Sequence, residues 1–398
     1  MTNGLEMIYL DNNATTAVAP EVCEAMLPWL GKFYGNPSGG YRFGRQARQA
    51  IEESREKVAA LIGAEREEMI FTSCGTESNN TALRSSLSLR PERKAILTST
   101  VEHSAVYEVA KFYGDTGYDA RFVGVDAEGH LDLDAWKNAI ADHEVAVASL
   151  IWANNETGVL SPVEAAAAIA AEYDVYFHTD AVQAVGKVPL SVADLPIHAL
   201  SMSAHKFHGP KGVGALYQDR NARFQSLMLG GGQEEKRRSG TENVAGIVGM
   251  GIAAELAAAR LDARESAAAL RDQFEKGVLE TVEGSAVNGD SDRRLPNTTN
   301  LFFPGVDGEG LLILLDEAGI CCSPGSACSS GAVRPSRILS AMGKSSSRAR
   351  SSVRFSLSHH TTAEEVTVAV SAIGTAVGKL QVMLPAGGGR VVGGSGGK

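Results

Sequence analysis

The chain has 398 residues, 44% of them hydrophobic and 21% charged, which fits a soluble globular protein with room for two domains and a large core. With 47 acidic against 37 basic residues the net charge is -10, which speaks against nucleic acid or an anionic membrane surface as a partner. No apolar run approaches the roughly 20 residues of a membrane span, and Met1 to Glu6 lacks the basic start and apolar stretch of a secretory signal, so a cytoplasmic location is expected.

The first clear element is the short apolar strand Met69 to Thr72, followed by a helix over Glu77 to Leu89. Ala95 to Thr98 reads as a strand and Ala105 to Tyr113 as a helix. Val145 to Trp152 is an apolar strand, the alanine-rich Val163 to Tyr173 a helix, and Val175 to His178 a strand. His198 to Met202 and Gly214 to Tyr217 are further strands. Alternation of this kind predicts an α/β layered domain with a mostly parallel sheet, whose ligands bind outside the carboxyl ends of the strands. Val244 to Glu283 is largely one helical stretch. A smaller α/β pattern follows: strand Asn300 to Phe303, helix Glu309 to Ala318, strand Ile320 to Ser323, helix Pro335 to Met342, strand Ser352 to Leu357 and helix Ala363 to Met383. The boundary is placed at residue 258, with residues 16–257 as a large domain, residues 1–15 and 258–384 as a small one, and the glycine-rich residues 385–398 expected to be disordered.

The chemistry concentrates at strand ends. Lys206 follows the apolar run Ile197 to Met202 and precedes a glycine-rich turn, His208 to Gly214. Burial there lowers a lysine pKa and favours the nucleophilic amine. Asp180 lies just past another strand and serves either as a helix cap or as the carboxylate that keeps a pyridinium nitrogen protonated. The stretch Thr72 to Asn80 ends a strand, turns at Gly75 and starts a helix, which is the arrangement that binds phosphate through amide N–H groups. Lysine, aspartate and phosphate loop together are what pyridoxal phosphate (PLP) asks of a protein.

The five cysteines are Cys23, Cys74, Cys321, Cys322 and Cys328, an odd and sparse set that suggests reduced thiols. Cys321 and Cys322 sit in an apolar strand and read as packing. Cys328 lies in Ser323 to Pro335, a run of small residues expected to form a mobile loop with an exposed, reactive thiol. Arg354, in an apolar strand, reads either as half of a structural ion pair or as a fork for a substrate carboxylate.

With these residues in view the chain resembles the cysteine desulfurases, from Tyr9-Leu10-Asp11-Asn12-Asn13-Ala14-Thr15-Thr16 to the last helix. The resemblance rests on Tyr34 to Ser38, Glu102-His103, Asn154 to Gly158, Ser203 to Lys206, Arg238-Ser239-Gly240-Thr241, Gly325-Ser326-Ala327-Cys328 and Val353 to Leu357. It implies a PLP-dependent transferase of fold type I, with a mostly parallel seven-stranded sheet and a smaller α/β domain, acting as a homodimer that takes sulfur from L-cysteine and releases L-alanine. Lys206 is then the Schiff-base lysine and the base for the α-proton, Asp180 the pyridinium partner, and Gln183 the partner of the 3-hydroxyl oxygen. His103 stacks on the ring, Gly75, Thr76, Ser203 and His205 hold the phosphate, and Thr241 reaches in from the other subunit. Asn155 contacts cofactor and substrate, Arg354 clamps the substrate carboxylate, and Cys328 carries the sulfur as a persulfide.

The Gly-Ser-Ala-Cys loop resembles the group I enzymes of nitrogen fixation and housekeeping iron–sulfur assembly, so the expected partner is an iron–sulfur scaffold or another sulfur acceptor. No resident metal site is expected, only transfer toward iron–sulfur clusters through Cys328. Ala204 stands where the family often has glycine, and the glycine-rich tail replaces the C-terminal segment with which housekeeping members dock a scaffold. A selenocysteine lyase, a related PLP aminotransferase and a non-catalytic scaffold of the same fold are the rival readings. Transamination needs no thiol, which sets Cys328 against it.

Overall fold

The computed structural model describes residues 7–324 and 335–383. The chain begins with β1 (Ile8–Tyr9) and two helices, α1 (Pro20–Gly31) and α2 (Arg42–Leu61). Both helices are absent from the sequence reading. α2 is polar on one side and buries a stripe through Ala47, Ile51, Ser54 and Val58 at helical spacing.

The large layer follows in chain order: β2 (Met69–Thr72), α3 (Gly75–Leu89), β3 (Ala95–Ser99), α4 (Ser104–Asp115), β4 (Asp119–Val123), α5 (Leu133–Ile140), β5 (Val145–Ile151), α6 (Val163–Glu172), β6 (Tyr176–Asp180), β7 (Ala199–Ser203) and β8 (Gly214–Gln218). The seven strands lie in the order β2-β8-β7-β6-β5-β3-β4. β8 runs antiparallel to both neighbours, and every other pairing is parallel. The strands of β5 and β6 are buried along their whole length, as a sheet covered by helices on both faces requires. One face packs on α1, α2, α6 and α7 (Val244–Arg260), the other on α3 and α4. β4 escaped the sequence reading because it is an edge strand with Asp119 and Arg121 in a short half-exposed run.

The predicted long helix is interrupted at Leu261–Ala263 by a single tighter turn and continues as α8 (Arg264–Thr281). By length and composition alone Val244–Thr281 could cross a membrane, yet half of its most apolar window is buried in the fold. The smaller layer comprises β9 (Ala286–Val287), β10 (Thr298–Phe302), α9 (Gly308–Glu317), β11 (Ile320–Cys321), β12 (Ser323–Pro324), α10 (Arg337–Ala341), α11 (Ser346–Arg350), β13 (Ser352–Ser356) and α12 (Ala363–Met383). Its strands form an antiparallel sheet, β12-β13-β10-β9, beside the parallel pair β1-β11. The expected strand Ile320 to Ser323 is thus two short strands with Cys322 between them, its side chain packed on the small core. Ile8 and Leu10 join that core, so β1 is built into the smaller layer before the chain crosses to the large one.

Candidate active site

A cavity of about 500 Å³ opens where the carboxyl ends of the large-layer strands face the smaller layer, well within the usual range of about 300–1,000 Å³ for small-molecule sites. Gly75, Thr76, His103, Asn155 and Asp180 all line it, as do Gln183, Ser203, His205, Lys206 and Arg354. Most of the residues singled out from the sequence therefore meet in one place.

Lys206 ends the short turn Ala204–Lys206 that follows β7. The turn is tight: the amides of Phe207 and Gly209 both donate to the Ala204 carbonyl. A Cβ at position 209 would meet Ala204 Cβ at 2.7 Å, so only glycine fits. Lys206 Nζ donates to the carbonyls of Asn13 (2.7 Å) and Ala14 (2.8 Å). Burial and then the charge of Arg354 lower its pKa to about 8, with Asp11 and Asp180 opposing.

Asp180, the last residue of β6, is buried, and both its oxygens are held. Oδ2 accepts from Asn79 Nδ2 at 2.6 Å and Oδ1 from the Val182 amide at 3.1 Å. Gln183 donates through Nε2 to the Asn13 carbonyl (2.8 Å), while its Oε1 accepts from Lys187 Nζ (2.6 Å). Lys187 also donates to Asn13 Oδ1 at 2.9 Å, and burial, then Lys206 and Arg354, push its pKa well below the lysine range. This second lysine with a depressed pKa was not read from the sequence; Val185-Gly186-Lys187 gives no local sign of burial.

The amides that open α3 are free of a side-chain cap, because Cys74 supplies none. Glu77 holds the preceding turn through the Ser73 amide (2.8 Å) and pairs with Arg238 (2.8 Å). Burial raises its pKa, but the bonds from Arg238 and Ser73 outweigh that and keep the carboxyl below its ordinary range. A Cβ on Gly75 would meet Val182 Cγ2 at 2.5 Å, so the helix start is pressed against the cavity floor. Ser203 Oγ is buried there with no partner among the described residues. His205 bonds Thr15 Oγ1 at 3.2 Å, and burial followed by Lys206 lowers it to about 4, so its imidazole is neutral. Helix amides, an orphaned serine hydroxyl, a deprotonatable lysine and a fixed aspartate form a donor set that fits PLP.

His103 caps α4, its Nδ1 accepting from the Ala105 amide at 3.1 Å, which leaves the proton on Nε2. The ring is exposed to the cavity, yet the protein packed around it lowers its pKa; Asp180 opposes that shift while Lys206 and Arg337 add to it. Glu102 beside it is fully buried. Its Oε1 accepts from Ser99 Oγ (2.6 Å) and the Ile151 amide (3.0 Å), and burial pushes the carboxyl up to about 8.

The opposite wall belongs to the smaller layer. Arg354, on β13, is buried and donates to Asp11 Oδ1 (2.8 Å) and the Asn155 carbonyl (3.0 Å). Its Nε has no partner among the described residues. The ion-pair reading of this residue therefore holds, and one guanidinium donor is left over beside it. Asp11 Oδ2 in turn accepts from Ser323 Oγ at 2.8 Å. Arg337 donates to the carbonyls of Thr100 and Glu102 with its guanidinium 3.9 Å over the Tyr107 ring. Glu156, bonded to Ser336, is raised to about 7 by burial, against the pull of that bond, Arg354 and Arg337. Asp11, Asn79, Arg337 and Glu156 were not assigned roles from the sequence, because nothing local announces a partner hundreds of residues away.

One expected residue does not line this cavity and another lies outside the described residues. Thr241 is exposed and does not line it in the single chain; the Glu77–Arg238 pair ties its neighbourhood to the start of α3. Cys328 lies outside the described residues. Ser323 and Pro324 before that segment and Arg337 and Ile338 after it do line the cavity.

Residues 8–368 match the aminotransferase class-V family. The chain is 46% identical over 380 residues to the cysteine desulfurase NifS of Azotobacter vinelandii, covering 95% of this chain and 94% of that one. Among solved structures, a NifS-like protein superposes with a TM-score of 0.89 at 35% identity, covering 94% of this chain and 100% of the other. The protein SspA in complex with cysteine gives a TM-score of 0.79 at 34% identity, over 88% and 98% of the two chains.

Proposed function

Since the chain belongs to the aminotransferase class-V family, among its cysteine desulfurases, we propose that it is a PLP-dependent enzyme that converts L-cysteine to L-alanine and holds the sulfur on Cys328. The observation that carries this reading is the pairing, in one cavity, of a lysine depressed to about 8 and a hydrogen-bonded aspartate with a buried arginine on the facing wall. The selenocysteine and transaminase alternatives are not favoured.

Bound PLP supplies an electron sink for charge that develops on the substrate's α-carbon. The chain's residues do the rest. Lys206 Nζ would anchor the cofactor covalently, and its amine would serve as the base for the proton on the substrate α-carbon. Asp180 keeps the ring nitrogen charged, and its own orientation comes from Asn79 and Val182. Gln183 contacts the 3-hydroxyl oxygen; Gly75, Thr76, Ser203 and His205 hold the phosphate, with Thr241 contributed by the partner subunit of a homodimer. His103 stacks on the ring and offers its Nε2 proton toward the cavity. Asn155 touches cofactor and substrate, and Arg354 binds the substrate carboxylate.

The Cys328 thiolate then attacks the substrate sulfur. The S–S bond forms as the C–S bond breaks, the electron pair stays with the carbon fragment, and protonation of that fragment gives alanine. The position of residues 323–324 and 337–338 on the cavity supports this reading, because it brings both ends of the cysteine-bearing segment to the substrate. We further propose a cytoplasmic enzyme that passes sulfur to an iron–sulfur scaffold or another acceptor. The separate hydrophobic clusters of the large sheet and of the smaller layer support a division near residue 258.

Incubating the purified holoenzyme with L-cysteine tests the reading. Alanine should appear in proportion to sulfur, and Lys206→Ala should abolish both. Turnover to pyruvate and ammonia without alanine would overturn it.

A further inference from the structure

Three histidines converge outside the cavity. His208 follows the turn that carries Lys206, and His359 and His360 follow β13, which carries Arg354. Their ligand atoms all lie within 4.8 Å of one another. Ring centroids are 4.5 Å apart for His208 and His359, 5.5 Å for His208 and His360, and 3.8 Å for His359 and His360.

The surroundings prepare these rings as ligands. His208 Nδ1 lies 3.0 Å from the Ala17 carbonyl. A carbonyl only accepts, so Nδ1 carries the proton and Nε2 keeps its lone pair, which is how a backbone carbonyl orients a metal-binding imidazole. His208 also has a φ of 68°, in the left-handed region that side chains with a Cβ rarely occupy. Thr16 Oγ1 accepts from its amide (2.9 Å), and its carbonyl accepts from Ala19 (3.0 Å), which holds that backbone in place. Among the described residues no hydrogen bond or ion pair engages the ring nitrogens of His359 or His360.

We propose that His208, His359 and His360 form a binding site for one divalent transition-metal ion of the zinc, nickel or cobalt kind, with water completing its coordination. Imidazole nitrogen selects such ions over magnesium or calcium, and three histidines leave a position open. Arg260 shares a cleft with His208 and His359 and weakens the site; Glu365, beside His208 and His360 in the adjoining cleft, opposes it. The ion ties the turn bearing Lys206 to the segment leaving Arg354, so it cross-links the two walls of the cavity from outside.

The test uses untagged holoenzyme, stripped with chelator and titrated with Ni²⁺ by calorimetry and with Co²⁺ by visible absorption. One ion per chain should bind, with cobalt ligand-field bands and no thiolate charge-transfer band. The double variant His359→Ala/His360→Ala should lose at least about 100-fold in Ni²⁺ affinity, since loss of a mere outer-shell partner costs about 10–100-fold. Its cysteine turnover in metal-free buffer should stay unchanged. His208→Asn, which tolerates the left-handed backbone, should lose affinity similarly while retaining bound PLP. Unchanged Ni²⁺ affinity in both variants, or a thiolate charge-transfer band in the wild type, overturns the proposal.

Discussion

On the large-layer wall of the cavity, Asp180 and Lys206 are held by neutral partners: Asn79, the Val182 amide and the Asn13 carbonyl. On the facing wall Arg354 is held by a charge, Asp11, which also grips Ser323 next to the cysteine-bearing segment. The first wall is set by hydrogen bonds that leave the net charges of Asp180 and Lys206 available to a cofactor. The second stores an ion pair whose arginine still has donors to spare. In the proposed reaction a substrate carboxylate at Arg354 would share it with Asp11, which also holds Ser323. Asn13 joins the walls: its carbonyl serves Lys206 and Gln183, and its side chain bonds Thr298 of β10 at 2.9 Å.

If the walls differ in this way, damage to the first should fall on the chemistry and damage to the second on substrate binding. The largest effect is expected for Lys206→Ala, with loss of the lysine-bound visible absorption of the cofactor and a fall in kcat on the order of 10⁴-fold, the upper end of what a positioned base contributes. Asp180→Asn keeps the shape and removes the charge; kcat should drop roughly 10²–10³-fold, as when a preorganised electrostatic group is removed, with KM little changed. Arg354→Lys should act the other way. Losing one charge-assisted hydrogen bond, worth about 1.5–3 kcal/mol, raises KM for cysteine roughly 10- to 100-fold and leaves cofactor absorption intact. Equal losses of kcat in both variants would erase the distinction between the walls.

The smallest effect concerns Glu102. Its folded pKa is raised from 4.5 to about 8, so across that window the native state keeps a proton that the unfolded chain has released. Stability from this group therefore falls as pH rises from about 4.5 to about 8, by at most about 1.4 kcal/mol per pH unit, and is unaffected below the window. Glu102→Gln removes the titration. Urea midpoints of variant and wild type should diverge in the variant's favour as pH rises; parallel midpoints would contradict the assignment.

The sequence made the cofactor wall legible and the substrate wall only partly so. Lys206, Asp180 and Gly75 stand at strand ends within apolar runs that announce themselves. Arg354 was legible as a residue but not as a pair, because Asp11 lies on the other side of the large layer in the chain and meets it only through the bridge beside β13. Lys187 and Arg337 gave no local sign, since their burial is made by distant segments. The helices α1 and α2 were passed over because their apolar period is faint: α1 buries only Val22, and the buried stripe of α2 is alanine, glycine and serine as much as leucine or valine. The histidine cluster joins two stretches, His208 and His359-His360, that no spacing rule connects.

The proposed function requires sulfur to move from substrate to Cys328. A single turnover of the holoenzyme with isotopically labelled cysteine and no reductant, followed by alanine quantification and peptide mass spectrometry, measures this directly. One alanine per active chain with one labelled sulfur on the peptide containing Cys328 is the predicted result. Labelled sulfur on Cys74, Cys321 or Cys322 instead, or alanine formed undiminished by Cys328→Ala, would contradict it.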